Sequence, residues 1–349
     1  MGLPAGTRNY TYAQDMAIVR TKTQWVLLLA LFVVLFTAPL YWGNYWLGVA
    51  NLIGITIVAV TGLNILTGYC GQLSIGHAGF IAVGAYTSAV LTNRFELPFL
   101  VGLLAAGVTA GLIGLIFGIP SLRVKGFYLA ISTIAAQFII IWVIGHWSGV
   151  TGGFNGISVP PASIGGITFV SQSSLFYLIL LITVLVVFMA KNLARTRAGR
   201  AFIAIRDNDL AAEVMGINLF RYKLLAFFIG CFLAGIAGSL LAHWIGFMSV
   251  EHFTIMDSIL YIGMIIIGGL GTTTGPIFGV IFIRLLQQGI TFIAPVLEST
   301  FALPAGFTTG IGPMVFGLAI ILFLILEPRG LAHRWQLFKA SYRLWPFSY

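Results

Sequence analysis

Residues 191–223 read KNLARTRAGRAFIAIRDNDLAAEVMGINLFRYK, and this polar stretch decides how the rest of the chain is read. It carries Lys191, Arg195, Arg197, Arg200, Arg206, Arg221 and Lys223 against Asp207, Asp209 and Glu213, which is seven of the chain's 18 lysines and arginines in under a tenth of its length. Around it the sequence is apolar: of 349 residues, 59% are hydrophobic and 8% charged, with a mean hydropathy of +1.02. Soluble domains carry roughly 25% charged residues. A chain this poor in charge cannot furnish a wetted surface, so its solvent is a bilayer and the basic insert is a loop at one face of it. The net charge of +9 sits in short loops and tails, as expected of cytoplasmic segments, and points to no nucleic acid.

Ten apolar segments flank the insert: Trp25–Trp42, Trp46–Thr67, Gly79–Thr92, Pro98–Ile119, Phe127–Trp147, Ser174–Ala190, Lys223–Ile245, Ile255–Gly268, Gly275–Pro295 and Gly310–Leu326. A spanning helix needs about 20 such residues, so the expectation is an all-α polytopic membrane protein of about ten transmembrane helices. The third and eighth segments are short and rich in glycine, and eight spans plus re-entrant segments fits the same sequence. Arg123, Lys125, the insert, Arg329, Arg334, Lys339 and Arg343 all fall in alternate connections. The other connections hold Arg94 with Glu96, Glu251 and Glu298, which predicts N-in, C-in topology. Arg20 and Lys22 precede the first apolar run, as in an uncleaved first span. Halves offset by five spans would be an inverted repeat, a common transporter layout.

Several chemistries have no residues to carry them. Cys70 and Cys231 form no CxxC pair. No GxxxxGK[ST] loop exists, and GGLGTTTG at 268–275 lacks the dinucleotide spacing. No Ser/His/Asp, HExxH or His/Cys cluster has plausible spacing. Ion-coupled carriers keep ionisable groups near the membrane midplane, yet every Asp and Glu lies outside the middle of a span, Asp257 coming closest. Arg284 is the one strong charge inside an apolar run, and there it needs a partner, a cavity or a nearby interface.

Four stretches carry a functional reading. Gly62–Tyr86, GLNILTGYCGQLSIGHAGFIAVGAY, places Asn64, Gln72, Ser74 and His77 among glycines. Two readings stand: a broken helix lining a translocation path, where irregular backbone is tolerated, or small-residue helix packing with polar groups bonded between helices. Thr151–Pro161, TGGFNGISVPP, is a turn-rich loop that either gates the outer mouth or only connects, with Phe154 and Asn155 the residues to test. Gly107, Gly111, Gly114 and Gly118, and Gly271, Gly275 and Gly279, have the spacing of close helix packing. In the insert, Asp207, Asn208 or Asp209 can cap a short helix that Gly216 stops. Ala211 and Ala212 would give it a flat face for close approach, and Arg206, Asp207 and Glu213 a charged rim.

Over about Trp25 to Gly330, the sequence resembles the membrane permeases of ATP-binding-cassette importers of the branched-chain amino acid (LivM) type. The resemblance rests on GLNILTGYCGQLSIGHAGFIAVGAY, RVKGFYLAISTIA at 123–135, TGGFNGISVPP and AGRAFIAIRDNDLAAEVMGIN at 198–218, in that order. It implies a non-catalytic permease of about ten helices in the bacterial inner membrane, without a cofactor of its own. It implies a second permease of the LivH type, two cytoplasmic ATPases that bind the ATP, and an extracytoplasmic binding protein. Residues 1–24 would then be a cytoplasmic segment, 25–330 the permease domain with 191–223 as its coupling loop, and 331–349 a cytoplasmic tail. The Ala211-Ala212…Gly216 core is similar to the loop by which importer permeases dock on their ATPases, although Leu210 stands where the general motif often has Glu. Amino acids are the implied cargo. Similar permeases carry urea, short amides, aromatic acids or sugars, and the competing class is a stand-alone ion-coupled carrier.

Overall fold

The computed structural model describes residues 22–121, 126–301 and 307–344. The expectations for Arg20, Arg123 and Lys125 lie outside these residues, and the side chains of Lys22, Glu298 and Arg343 are likewise outside the description. All ten apolar segments are helices: α1 Lys22–Tyr41, α2 Asn44–Leu63, α3 His77–Arg94, α4 Phe99–Ser121, α5 Phe127–His146, α6 Gln172–Arg195, α9 Leu219–Ile245, α10 Ile255–Gly268, α11 Gly275–Phe301 and α12 Phe307–Leu326. The insert adds α7 Arg197–Asp207 and α8 Asp209–Val214, and α13 Leu331–Leu344 closes the series. By length and apolarity, eight described helices qualify as membrane spans, and α12 with α13 makes a ninth if that pair, bent by 45°, is taken as one. Helix α3 does not qualify, because His77, Ser88, Thr92 and Arg94 dilute its apolar residues; it is buried in the bundle all the same. The protein is thus an all-α polytopic membrane protein, with eight candidate spans among the described residues and a ninth if the bent pair counts as one, as the reading of eight spans plus shorter segments allows.

Helices α2 and α9 form the centre. Helix α9 packs on α2, α3 and α4, whereas α2 packs on α9, α6, α10 and α11. Spans two and seven therefore lie against each other, and each also packs on the two spans that follow the other. Two interlocked halves offset by five spans would produce this reciprocity. Helix α1 is peripheral: it touches the bundle at α6, where the Tyr177 hydroxyl donates to the Phe36 carbonyl at 2.9 Å. Its Val26, Leu27, Leu31 and Val34 stay exposed.

Glycine brings the inner helices into backbone contact. A Cβ at Gly84 of α3 would lie 2.3 Å from the Gly235 Cα of α9, and one at Gly235 2.2 Å from the Ala106 carbonyl oxygen of α4. The glycines of α4 seat aromatic rings of α9, Gly107 against Phe232 and Gly111 against Phe228. Such packing, more than apolar transfer, holds helices together in lipid.

At one end of the bundle the 148–171 connection folds into small β elements. Strand β1 (Ile157–Ser158) pairs with β4 (Phe247–Met248) from the α9–α10 connection, and β2 (Ala162–Ile164) pairs with β3 (Ile167–Phe169). This connection is fastened from below by a buried chain of hydrogen bonds. His243 Nδ1 lies 2.8 Å from the Pro160 carbonyl, which can only accept, so Nδ1 carries the proton and Nε2 accepts from Ser88 Oγ at 3.0 Å. Ser239 in turn donates to Ser88 at 2.8 Å. These residues are far apart in sequence and have no carboxylate among them. A serine–histidine set forms here, buried in the core, and it fastens the loop to the bundle.

Candidate functional site

The opposite end carries the insert. Helix α7 is capped by Thr196, whose side chain accepts from Gly199 N–H. Of the three capping candidates after it, Asn208 takes the role: extended backbone (φ −160°, ψ 106°) turns the chain, and its side chain accepts from Ala211 N–H at 3.0 Å to start α8. Gly216, at φ +83°, ends it. Gly216 N–H donates to Glu213 and Ile217 N–H to Ala212, the pair of backward bonds that closes a helix at a left-handed residue. The short helix expected from sequence is present, with both its signals used.

Its presented surface differs from the expectation. Ala212 is buried against the chain's own bundle, so the flat Ala211-Ala212 face is not offered whole. Leu210, Val214 and Met215 project instead, at 66%, 88% and 81% exposed. Glu213 is exposed beside them, and Asp209 lies 3.8 Å from Lys223 of α9, tying α8 to the next helix. An exposed apolar patch rimmed by charge marks a contact surface. Sequence reasoning noted Leu210 only as a departure from the docking motif and passed over Val214 and Met215, because apolar side chains are ordinary in this chain.

Arg206 is exposed, as a rim residue would be, and is also tied inward. It ends α7 and turns back toward the bundle: Nη1 donates to the Gly68 carbonyl at 3.0 Å, while Nε and Nη2 donate to Asp207 Oδ1 at 3.0 and 2.9 Å. Gly68 belongs to a π-helical turn, Asn64–Tyr69, into which α2 unwinds before the irregular stretch 70–76. Arg206 packs on Gly71 as well, its Cγ 3.0 Å from where a Cβ would be, and its Nη1 lies 2.5 Å from the same point on Gly271. Gly271 lies in the α10–α11 connection.

Asn64 joins those two breaks. Its Oδ1 accepts from Gly271 N–H at 3.0 Å, and its Nδ2 donates to the Thr272 carbonyl at 2.9 Å. Gly269 meets Gly330 at the foot of α13 in turn. The 70–76 break, the 269–274 break, the insert and the start of α13 therefore share one end of the bundle. We expect Asn64→Ala to cost roughly 1–2 kcal/mol, because it strands a half-buried N–H and carbonyl. The check is a lower thermal midpoint of the purified chain; an unchanged midpoint counts against the clasp.

Gln72, Ser74 and His77 are all buried. His77 Nε2 donates to the Ala59 carbonyl at 3.0 Å, and the neighbouring Ile75 and Ala78 N–H groups donate to Thr133 and Ser258. Gln72 Oε1, Ser74 Oγ and His77 Nδ1 lie buried without a protein hydrogen-bond partner. The break is thus both tied between helices and left with unused polar capacity. Phe154, 69% exposed, and exposed Asn155 lie at the other end, where Phe154 packs over Gly145 and edge-on to His146 at 5.6 Å. Among the described residues there is no group of His, Cys, Asp and Glu that could hold a metal ion.

Residues 45–325 match the family model described as branched-chain amino acid transport system / permease component. The chain is 33% identical over 292 residues to the high-affinity branched-chain amino acid transport system permease protein LivM of Escherichia coli (strain K12), covering 77% of this chain and 69% of that one. It is 24% identical over 316 residues to the probable LivM of Methanocaldococcus jannaschii, 80% and 90% of the two chains. To the autoinducer 2 import system permease protein LsrC of Enterobacter sp. (strain 638) it is 29% identical over 260 residues, 71% and 67% of the two. No solved structure matches.

Proposed function

This chain belongs to the branched-chain amino acid transport permease family, and from that premise we propose that it forms one wall of the path in an ATP-driven amino acid importer. It is a multi-pass protein of the bacterial inner membrane and a permease subunit of an import system. Its partners are two ATPases, a binding protein and a second permease of the LivH type, with N- and C-termini and the insert on the ATPase side. ATP is held by the partner ATPases, and this chain needs no cofactor of its own. Its 33% identity to the Escherichia coli LivM, against 29% to the Enterobacter LsrC, supports amino acids over an autoinducer as cargo.

One observation carries the mechanism: α8 offers Leu210, Val214 and Met215 to solvent while its other side is bonded into the bundle. The ATPases grip that apolar tip. Their closure moves α8 and α7, Arg206 carries the movement to Gly68, and Asn64 spreads it to the 269–274 break. Gln72, Ser74 and His77 then offer hydrogen bonds to the solute as the path changes its opening, and Phe154 and Asn155 attend the outer mouth.

Val214→Asp tests the docking step. Burying an unpaired carboxylate in an apolar contact costs several kcal/mol, so the ATPases should no longer co-purify with the permease, although the variant reaches the membrane. Wild-type co-purification by both Val214→Asp and Leu210→Asp would remove α8 from the interface.

A further inference from the structure

Helix α11 contains a polar stripe. Arg284, Gln287, Gln288 and Thr291 recur at i, i+3, i+4 and i+7, and so lie on one face of an otherwise apolar helix. The stripe meets α2. Arg284 Nε and Nη2 donate to Thr56 Oγ1 at 3.3 and 2.9 Å, and Nη1 donates to Gln287 Oε1 at 3.1 Å. Thr56 is fixed in turn by donating to the Leu52 carbonyl at 2.7 Å. One turn on, Gln288 donates to the Tyr45 hydroxyl.

The hydrogen-bond partners of Arg284 are all neutral groups. Among the described residues no carboxylate comes within ion-pair distance of it. The Asp257 carboxylate is engaged elsewhere, its Oδ2 accepting from Thr254 N–H and hydroxyl at the start of α10. Three contacts also leave two of the five guanidinium N–H groups unassigned, both on Nη nitrogens.

Depth sharpens the point. Arg284 lies nine residues from Gly275 and eight from Phe292, which at roughly 1.5 Å per residue is about 14 and 12 Å along the helix. Phe292 clusters with Tyr45 and Trp46 in a group typical of a membrane–water interface. Arg284 therefore lies about midway along the Gly275–Ile293 candidate span, and it is only partly buried. An arginine open to lipid at that depth is costly. A stripe of amide and hydroxyl groups running from it to the Tyr45 end suits a hydrated route.

We propose that Arg284 is a carboxylate-binding site on the translocation path, fixed by Thr56 and Gln287, and that the carried solute bears the carboxylate. This rests on the importer reading above and narrows its cargo: neutral solutes such as urea and simple amides are excluded. Forked N–H groups pair with a carboxylate at two points, and mid-span placement makes that pairing a recognition step between the outer and inner openings.

The test is uptake of radiolabelled L-leucine by proteoliposomes holding the full complex, with subunit stoichiometry measured for each variant. Arg284→Gln should lower uptake by roughly 30-fold or more, the loss that follows removal of one partner from a partly desolvated charge pair. All subunits should remain in the complex, and Arg284→Lys should recover part of the rate. Independently of any variant, phenylglyoxal modification of Arg284, followed by mass spectrometry, should be slowed by L-leucine and not by L-leucinamide. Uptake by Arg284→Gln within twofold of wild type, or equal modification with both compounds, overturns the proposal. Loss of the second permease from the Arg284→Gln complex also overturns it, by assigning the charge to a partner's carboxylate. A wild-type complex that moves acetamide but no amino acid defeats the amino acid reading itself, and this site with it.

Discussion

Gly235→Leu should yield no monodisperse protein after extraction from the membrane, and Gly235→Ala a markedly lowered thermal midpoint. Helices α3, α4 and α9 meet at this residue. A Cβ there would stand 2.2 Å from the Ala106 carbonyl oxygen and 2.7 Å from the Ala110 Cβ, while the Gly84 side approaches the Gly235 Cα from α3. The obstructing atoms are mostly backbone, so no rotamer change relieves the clash; two helices must separate. Overpacking a core costs about 1–3 kcal/mol when side chains can shift, and here the cost is larger. In lipid the separated helices regain no hydrophobic drive to return, because tight packing was what held them. Gly317→Leu is the matched control: it adds the same side chain to membrane helix α12, where a Cβ meets no heavy atom within 4 Å. Size-exclusion profiles and thermal midpoints in one detergent decide the matter, and a monodisperse Gly235→Leu with a wild-type midpoint would refute the three-helix contact.

How much of this was legible beforehand depended on the reach of each signal. Local signals carried well. Apolar runs located all ten helices, and Ile255–Gly268 has the same bounds in sequence and structure. Asn208 and Gly216 framed α8 because caps act within a few residues. Edges were missed where polar residues continue a helix beyond its apolar run, as Lys191 and Arg195 do at the end of α6. Which segment is the weak span follows from the opposite reason: α3 is polar enough to fail on its own and is stabilised by α9, α4 and α5 around it. Contacts over long separations were beyond reading. Ser88 meets Ser239 across 151 residues, and Arg206 meets Gly68 across 138. Nothing near Arg206 in sequence announces that its guanidinium turns back to Gly68, and an exposed Val214 looks like every other valine in a greasy chain.

That turn of Arg206 yields the second large effect. Arg206→Glu should cut solute uptake by the reconstituted importer by about 100-fold, or roughly 2.7 kcal/mol of coupling, while the ATPases stay bound and continue to hydrolyse ATP. Wild-type Arg206 links the end of α7 to the Gly68 carbonyl, and its side chain is 36% exposed, so the bond falls toward the lower end of the 1.5–3 kcal/mol range of a charge-assisted contact. The glutamate loses that bond and adds a carboxylate facing both a carbonyl oxygen and Asp207, whose repulsion pushes α7 off the break. Docking is spared, since Leu210, Val214 and Met215 lie beyond the Asn208 cap and do not depend on the guanidinium. Docking and transmission are thereby separable: Val214→Asp loses the ATPases, and Arg206→Glu keeps them without transport. Arg206→Lys, which preserves the charge but not the forked reach to both Gly68 and Asp207, should fall between. Tight coupling of hydrolysis to uptake in Arg206→Glu would mean that movement of α8 reaches the path by another route, with the Asp209–Lys223 contact into α9 the next to break.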